Sequence, residues 1–90
     1  MTPTSFALGQ NYPNPFNPST SIWYSVPARG RVTLTVYDLL GRAVATLVDE
    51  VKQPGVHSLT WDASNFPSGV YACRMTAPGF SSSRTLLLVK

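Results

Sequence analysis

The stretch Arg31-Val32-Thr33-Leu34-Thr35-Val36-Tyr37 alternates apolar and polar side chains with a period of two. An extended strand sorts such a pattern onto two faces, whereas a helix at 3.6 residues per turn scatters it around its circumference. Ser21-Ile22-Trp23-Tyr24-Ser25-Val26 repeats the pattern, with Ile22, Tyr24 and Val26 on the inward side and Trp23 on the outward side. His57, Leu59 and Trp61 share one strand face, and Tyr71, Cys73 and Met75 share another. The last run, Arg84-Thr85-Leu86-Leu87-Leu88-Val89-Lys90, is apolar on both faces at its centre. That predicts a strand covered on both sides, or one left exposed for a partner.

Turn chemistry separates these runs. Asp38-Leu39-Leu40-Gly41 reads as a hairpin loop with Gly41 in the left-handed position. Gln53-Pro54-Gly55 places proline and glycine as a type II turn requires, and Pro67-Ser68-Gly69 and Ala77-Pro78-Gly79 supply two more turns. The pattern predicts about seven strands, at Phe6–Gln10, Ser19–Val26, Arg31–Asp38, Ala43–Asp49, Val56–Asp62, Val70–Thr76 and Phe80–Val89, with no helix. Short strands at this spacing indicate an all-β, immunoglobulin-like antiparallel β-sandwich. Ninety residues suffice for one such domain, expected at 6–90, with 1–5 read as a linker or a remnant added at the start. Asn11-Tyr12-Pro13-Asn14-Pro15-Phe16-Asn17-Pro18 differs in kind. Its prolines lack N–H donors, so it cannot form a central strand. It should run as a stiff connection between the first two strands, pinned by Tyr12 and Phe16.

The chain offers few groups arranged for chemistry. The formal charge of +3 comes from seven dispersed basic residues, not the clustered stripe that nucleic acid would require. Cys73 is alone, so no internal disulfide or multi-cysteine zinc site can form. No apolar run is long enough for a transmembrane helix, and the first residues lack the pattern of a signal peptide. His57 and Cys73 could be neighbours, but burial in an apolar core works against an ionised thiol. Asp38, Asp49, Glu50 and Asp62 sit at strand ends or turns, where Asp38 and Asp62 are expected to close turns through their side chains. No phosphate-binding glycine loop, catalytic group, metal site or cofactor site is read. Trp23, facing outward, could stack on a sugar ring, although such sites usually align two or three aromatics.

Three blocks resemble the type A C-terminal sorting domain of the type IX secretion system of Bacteroidetes. They are Asn11 to Thr20 with Ile22 and Tyr24; Val36-Tyr37-Asp38-Leu39-Leu40-Gly41-Arg42 with Val44; and Pro67-Ser68-Gly69-Val70-Tyr71 with Arg74, Met75 and the terminal Leu86 to Lys90. The resemblance implies a non-catalytic module at the end of a larger exported protein. Such a module crosses the periplasm, is read by an outer-membrane translocon and is usually removed by a sortase-like peptidase at the cell surface. The cargo is then released or attached to a surface glycolipid. By that pattern Leu86, Leu87, Leu88, Val89 and Lys90 carry recognition. Asn14, Pro15, Phe16, Asn17 and Pro18 form a secondary recognition loop. Asp38, Gly41, Arg42, Gly55 and Gly69 hold turns. Trp23 and Cys73 depart from the family's expected residue types at their positions. The turn blocks also resemble the sandwich domain of flagellar hook-capping proteins, a likeness that is weaker at the terminus.

A sorting signal is therefore the favoured reading, with a carbohydrate-binding or adhesive module as the alternative and a structural spacer third. Neither nucleic acid nor a small-molecule substrate is expected as a partner. The expected partners are the translocon, the surface peptidase and the upstream cargo.

Overall fold

The computed structural model describes residues 3–90; Met1 and Thr2, part of the expected linker 1–5, lie outside the described residues. Seven strands run in chain order: β1 (Ala7–Leu8), β2 (Ser19–Val26), β3 (Gly30–Tyr37), β4 (Ala43–Lys52), β5 (Gly55–Asp62), β6 (Gly69–Ala77) and β7 (Phe80–Leu88). They form a three-stranded sheet of order β1-β2-β5 facing a four-stranded sheet of order β4-β3-β6-β7. All strand pairings are antiparallel. The chain is an all-β sandwich with the three-on-four arrangement of immunoglobulin-like modules.

The period-two pattern becomes the core. Ile22, Tyr24 and Val26 from β2 meet Val32, Leu34 and Val36 from β3, Tyr71, Cys73 and Met75 from β6, and Leu86 and Leu88 from β7. Two register shifts in the β3–β4 pair interrupt strict alternation, and Thr35 is buried along with Leu34 and Val36. A bulge of this kind gives one strand an extra residue and increases the local twist. β1 is shorter than its sequence suggests and β4 runs three residues further, to Lys52. Leu8 goes into the core and Gly9 already bonds to β2 as a single contact, its N–H donating to the Trp23 carbonyl at 3.0 Å.

An aromatic cluster closes the end of the sandwich where β6 begins. Trp61 packs against Phe16, Phe66 and Tyr71 at centroid distances of 5.7, 5.5 and 5.8 Å. The Tyr71 hydroxyl donates to the Pro67 carbonyl at 2.6 Å. This bond returns from the start of a strand to the corner just before it, in the manner of the tyrosine corner of immunoglobulin-like folds. It gives the Pro67-to-Tyr71 block a structural purpose beyond its turn.

Candidate recognition surface at the chain terminus

β7 lies at a sheet edge, with β6 on one side only. Unpaired N–H and C=O groups would ordinarily line its other side and invite a further strand. Here the N-terminal segment covers them. The Phe16 N–H donates to the Leu87 carbonyl at 2.9 Å, and the Val89 N–H donates to the Phe16 carbonyl at 3.0 Å. The Asn14 side chain extends the seam by accepting from the Leu87 N–H at 3.0 Å and donating to the Thr85 carbonyl at 3.4 Å. Gln10 Nε2 also donates to Thr85, at 2.9 Å, and Arg84 Nε reaches the Leu8 carbonyl at 2.9 Å. The last strand is thus a sheet edge sealed by its own chain. Strand addition at Thr85 to Val89 would first have to remove that seal.

The five terminal residues divide by face. Leu86 and Leu88 are core residues, each 1% exposed, and their side chains are closed to any partner of the folded domain. Leu87 is half-buried beneath the seam, while Val89 and Lys90 are exposed. Lys90 is held at both ends: its N–H donates to Ser68 Oγ at 2.9 Å and its Nζ to the Ser64 carbonyl at 2.5 Å.

The Asn/Pro loop is also organised from within. Asn11 is buried and donates from Nδ2 to Thr20 Oγ1 at 2.9 Å and to the Pro13 carbonyl at 3.2 Å, while Thr20 Oγ1 donates to Pro13 O at 2.8 Å. Phe16 is the anchor expected of it, at 2% exposure. Tyr12 is not: it stands 81% exposed and holds the loop only through its backbone bridge to Ser21. The exposure of Tyr12, against the expected pinning, has a simple origin: the bridge pairs it with a solvent-facing residue of β2, and its side chain must leave on that same side. Asn14, Pro15 and Asn17 are exposed, and Pro18 is half-buried.

At the same end, the β3–β4 hairpin and the segment before β6 enclose an open groove of about 320 Å³, lined by Leu39, Leu40, Phe66, Pro67, Val70 and Tyr71 among others. Asp38 builds the hairpin. Its Oδ1 accepts from the Leu40 and Arg42 N–H groups at 2.9 and 3.0 Å, and its Oδ2 pairs with Arg42 Nε at 2.8 Å. The backbone N–H of Arg42, with its guanidinium and the Leu40 N–H, holds the carboxyl below its ordinary pKa. Gly41 has φ +79°, a left-handed conformation that suits glycine. The consequence missed in the sequence is that this turn pushes Leu39 and Leu40 outward, each 77% exposed. Two adjacent leucines inside a turn signal are the one trace available from sequence. Gly55 and Gly69 begin β5 and β6. Asp62 turns the chain after β5 by accepting from the Ser64 N–H at 3.0 Å and from its hydroxyl.

The remaining candidates do not assemble into a reactive site. Cys73 is buried, and burial pushes its thiol up to about 11. His57 stacks on Tyr24 at 5.2 Å and its Nε2 lies 2.8 Å from the Gln53 carbonyl, on the opposite sheet from Cys73. No cluster of three metal-ligating side chains occurs among the described residues. Trp23 points outward at 45% exposure.

These features define an immunoglobulin-like module whose organised surface is its sealed terminal strand and adjoining groove. The chain matches the family described as Secretion system C-terminal sorting domain over residues 10–89, and it belongs to that family, the C-terminal sorting domains of type IX secretion. No match is found among curated proteins. Membership makes the module a secretion sorting signal, part of a larger cargo protein and recognised by the secretion machinery. Its family is generally non-catalytic, and its destination is the cell surface or the extracellular space.

Proposed function

We propose that this domain directs its parent protein through the outer membrane by presenting Leu87, Val89 and Lys90, together with Asn14, Pro15, Asn17 and Pro18 of the loop, to an outer-membrane translocon; Phe16, buried in the core, anchors that loop and is not itself presented. The cargo passes through the periplasm beforehand. A sortase-like peptidase at the surface then separates the domain, and the cargo is released or attached to a surface glycolipid. The module contributes no chemistry of its own to these steps. The observation that carries the proposal is the family match over residues 10–89. The geometry supports the residue assignment: the loop and the terminal strand share one hydrogen-bonded seam, and the exposed apolar groove opens beside it.

A periplasmic reporter fused to this domain and expressed in a host with type IX secretion tests the reading. Deleting Leu86–Lys90 would confuse recognition with folding, because two core leucines leave with the tail. Outward changes separate the two. Val89→Asp and Lys90→Glu together should leave the melting temperature within a few degrees and strand the reporter in the periplasm. Surface delivery by that folded double variant refutes the assignment to the terminus. Failure of the native fusion to leave the periplasm refutes the sorting function itself.

A further inference from the structure

The outer face of the β1-β2-β5 sheet has an order that lies outside the proposed sorting residues. Pairing places the residues of this face on a grid, covered at one end, where Ser25 is buried, and open at the other. Ala7, Ser25 and Val56 form one row; Gly9, Trp23 and Ser58 the next; Tyr12, Ser21 and Thr60 the third. Columns lie about 4.8 Å apart, and rows two residues along are separated by about 6.7 Å. Tyr12 and Trp23 are therefore diagonal neighbours on one face. This supplies the second aromatic that Trp23 lacks when the sequence is read linearly.

The indole is also positioned. A Cβ built on Gly9 would lie 1.9 Å from Trp23 Cε2 and 2.0 Å from Nε1. Trp23 therefore lies against the Gly9 backbone, in the column that Tyr12 occupies. Gly9 is buried there although it faces the solvent side of its sheet, while Trp23 keeps 45% of its surface open. Tyr12 is 81% exposed in the next row. Beside them stand the hydroxyls of Ser21, Ser58 and Thr60. All three residues are exposed, and the hydroxyls have no side-chain hydrogen bond among the described residues. Each can donate one hydrogen bond and accept two.

Charge selects the ligand class. All seven Lys and Arg residues lie outside β1, β2 and β5. Arg84 reaches this sheet only at the Leu8 carbonyl, and no grid position carries a cation for an anionic polymer or an acidic membrane surface to meet. Two open aromatic rings beside a ladder of free hydroxyls suit a ligand with apolar ring faces and hydroxylated edges. We propose that this face binds a neutral polysaccharide, with sugar rings stacked on Trp23 and Tyr12 and their hydroxyls bonded to Ser21, Ser58 and Thr60. The site shares its N-terminal segment with the seal, since Gln10 and Asn14 flank Gly9 and Tyr12, but the Trp23 and Tyr12 rings take no part in the sealing bonds, and the proposal does not depend on the sorting reading.

The test is affinity gel electrophoresis of the 90-residue chain through laminarin, xylan, mannan and dextran, followed by titration calorimetry with the polysaccharide that retards it. Retardation by at least one is expected, with Trp23→Ala and Tyr12→Ala each weakening binding about tenfold. Gly9→Ala, which displaces the indole, should also weaken it. Tyr12→Ala touches no core contact, so it remains informative if Trp23→Ala or Gly9→Ala impairs folding. Reporter export by Tyr12→Ala should equal that of the native fusion, which keeps this proposal distinguishable from the sorting function. Lack of retardation by all four polysaccharides overturns the proposal. So does binding that Tyr12→Ala and Trp23→Ala leave unchanged.

Discussion

Phe16 is the residue on which the terminal seam depends, and Phe16→Ala measures that dependence. Its ring is 2% exposed against Trp61, and its backbone carries two of the bonds that cover β7. An aromatic side chain buries roughly 150–250 Å², worth about 4–6 kcal/mol at ~25 cal/mol per Å². Alanine keeps part of that area but leaves a cavity, so the net cost falls at about 3–5 kcal/mol. A 90-residue domain has only about 5–13 kcal/mol in total. The substitution should therefore remove about a quarter of the stability or more. Urea unfolding followed by tryptophan fluorescence gives the midpoint, and a companion Tyr12→Ala, altering an exposed ring, should stay within about 0.5 kcal/mol of the native value. Amide exchange provides the local readout: the Val89 amide, whose acceptor is the Phe16 carbonyl, should lose more protection in Phe16→Ala than amides in the middle of β3. Equal costs for Phe16→Ala and Tyr12→Ala, or unchanged Val89 protection, would refute the anchoring argument.

Three further perturbations have defined outcomes. Tyr71→Phe deletes the donor to the Pro67 carbonyl and should cost about 1 kcal/mol, read as a fall of roughly 4–8 °C in Tm. Asp38 has a depressed folded pKa, as does Asp62 through Ser64. Their contribution is present above the unfolded carboxyl value near ~4 and is lost as pH falls through the lower folded values. The urea midpoint should drop below about pH 4, and Asp38→Asn should flatten that drop; an unchanged slope counts against the turn's electrostatics. For Cys73 the sign reverses: with a folded value of about 11, its contribution is complete below the unfolded thiol value near ~8.5 and is lost as pH rises through the folded one. The midpoint should fall between about pH 8 and 9.5 in the native chain and stay flatter in Cys73→Ala, with no rapid thiol labelling of the folded native protein.

The sandwich was legible because its determinants are local. Alternation in β2 and β3 names the inward residues, and Asp38-to-Gly41 names a hairpin. The immunoglobulin-like order follows from short strands separated by turns. Strand edges were less legible, since a bulge such as the β3–β4 register shift depends on the partner strand. At the terminus, the chain's own apolar run could not say which leucines face inward or what covers the edge. The answer lies more than 70 residues away in sequence, in Asn14 and Phe16. Tyr12 failed as an anchor for the same reason. Its exposure follows from pairing with Ser21, a contact that no periodicity within the loop encodes. Leu39 and Leu40 are the reverse case, where a correctly read turn concealed an exposed apolar pair.

The two segments read separately from the sequence as recognition candidates are one physical unit. A carboxamide serves as a surrogate peptide here: Asn14 accepts from Leu87 and donates to Thr85, as a neighbouring strand would. The prolines on either side of it lack N–H donors and cannot extend a ladder of their own. The loop can therefore cover the edge without becoming an edge itself, and the last strand stays paired although it ends the sheet. The Leu87 and Val89 amides keep their partners only while this seam is closed, Lys90 is held beside it by Ser64 and Ser68, and the seam is built on Phe16 and Leu88 in the core. A surface of this kind reports that the whole domain has folded. A linear tail of the same residues would offer the same chemistry to a receptor regardless of whether the rest of the domain had formed.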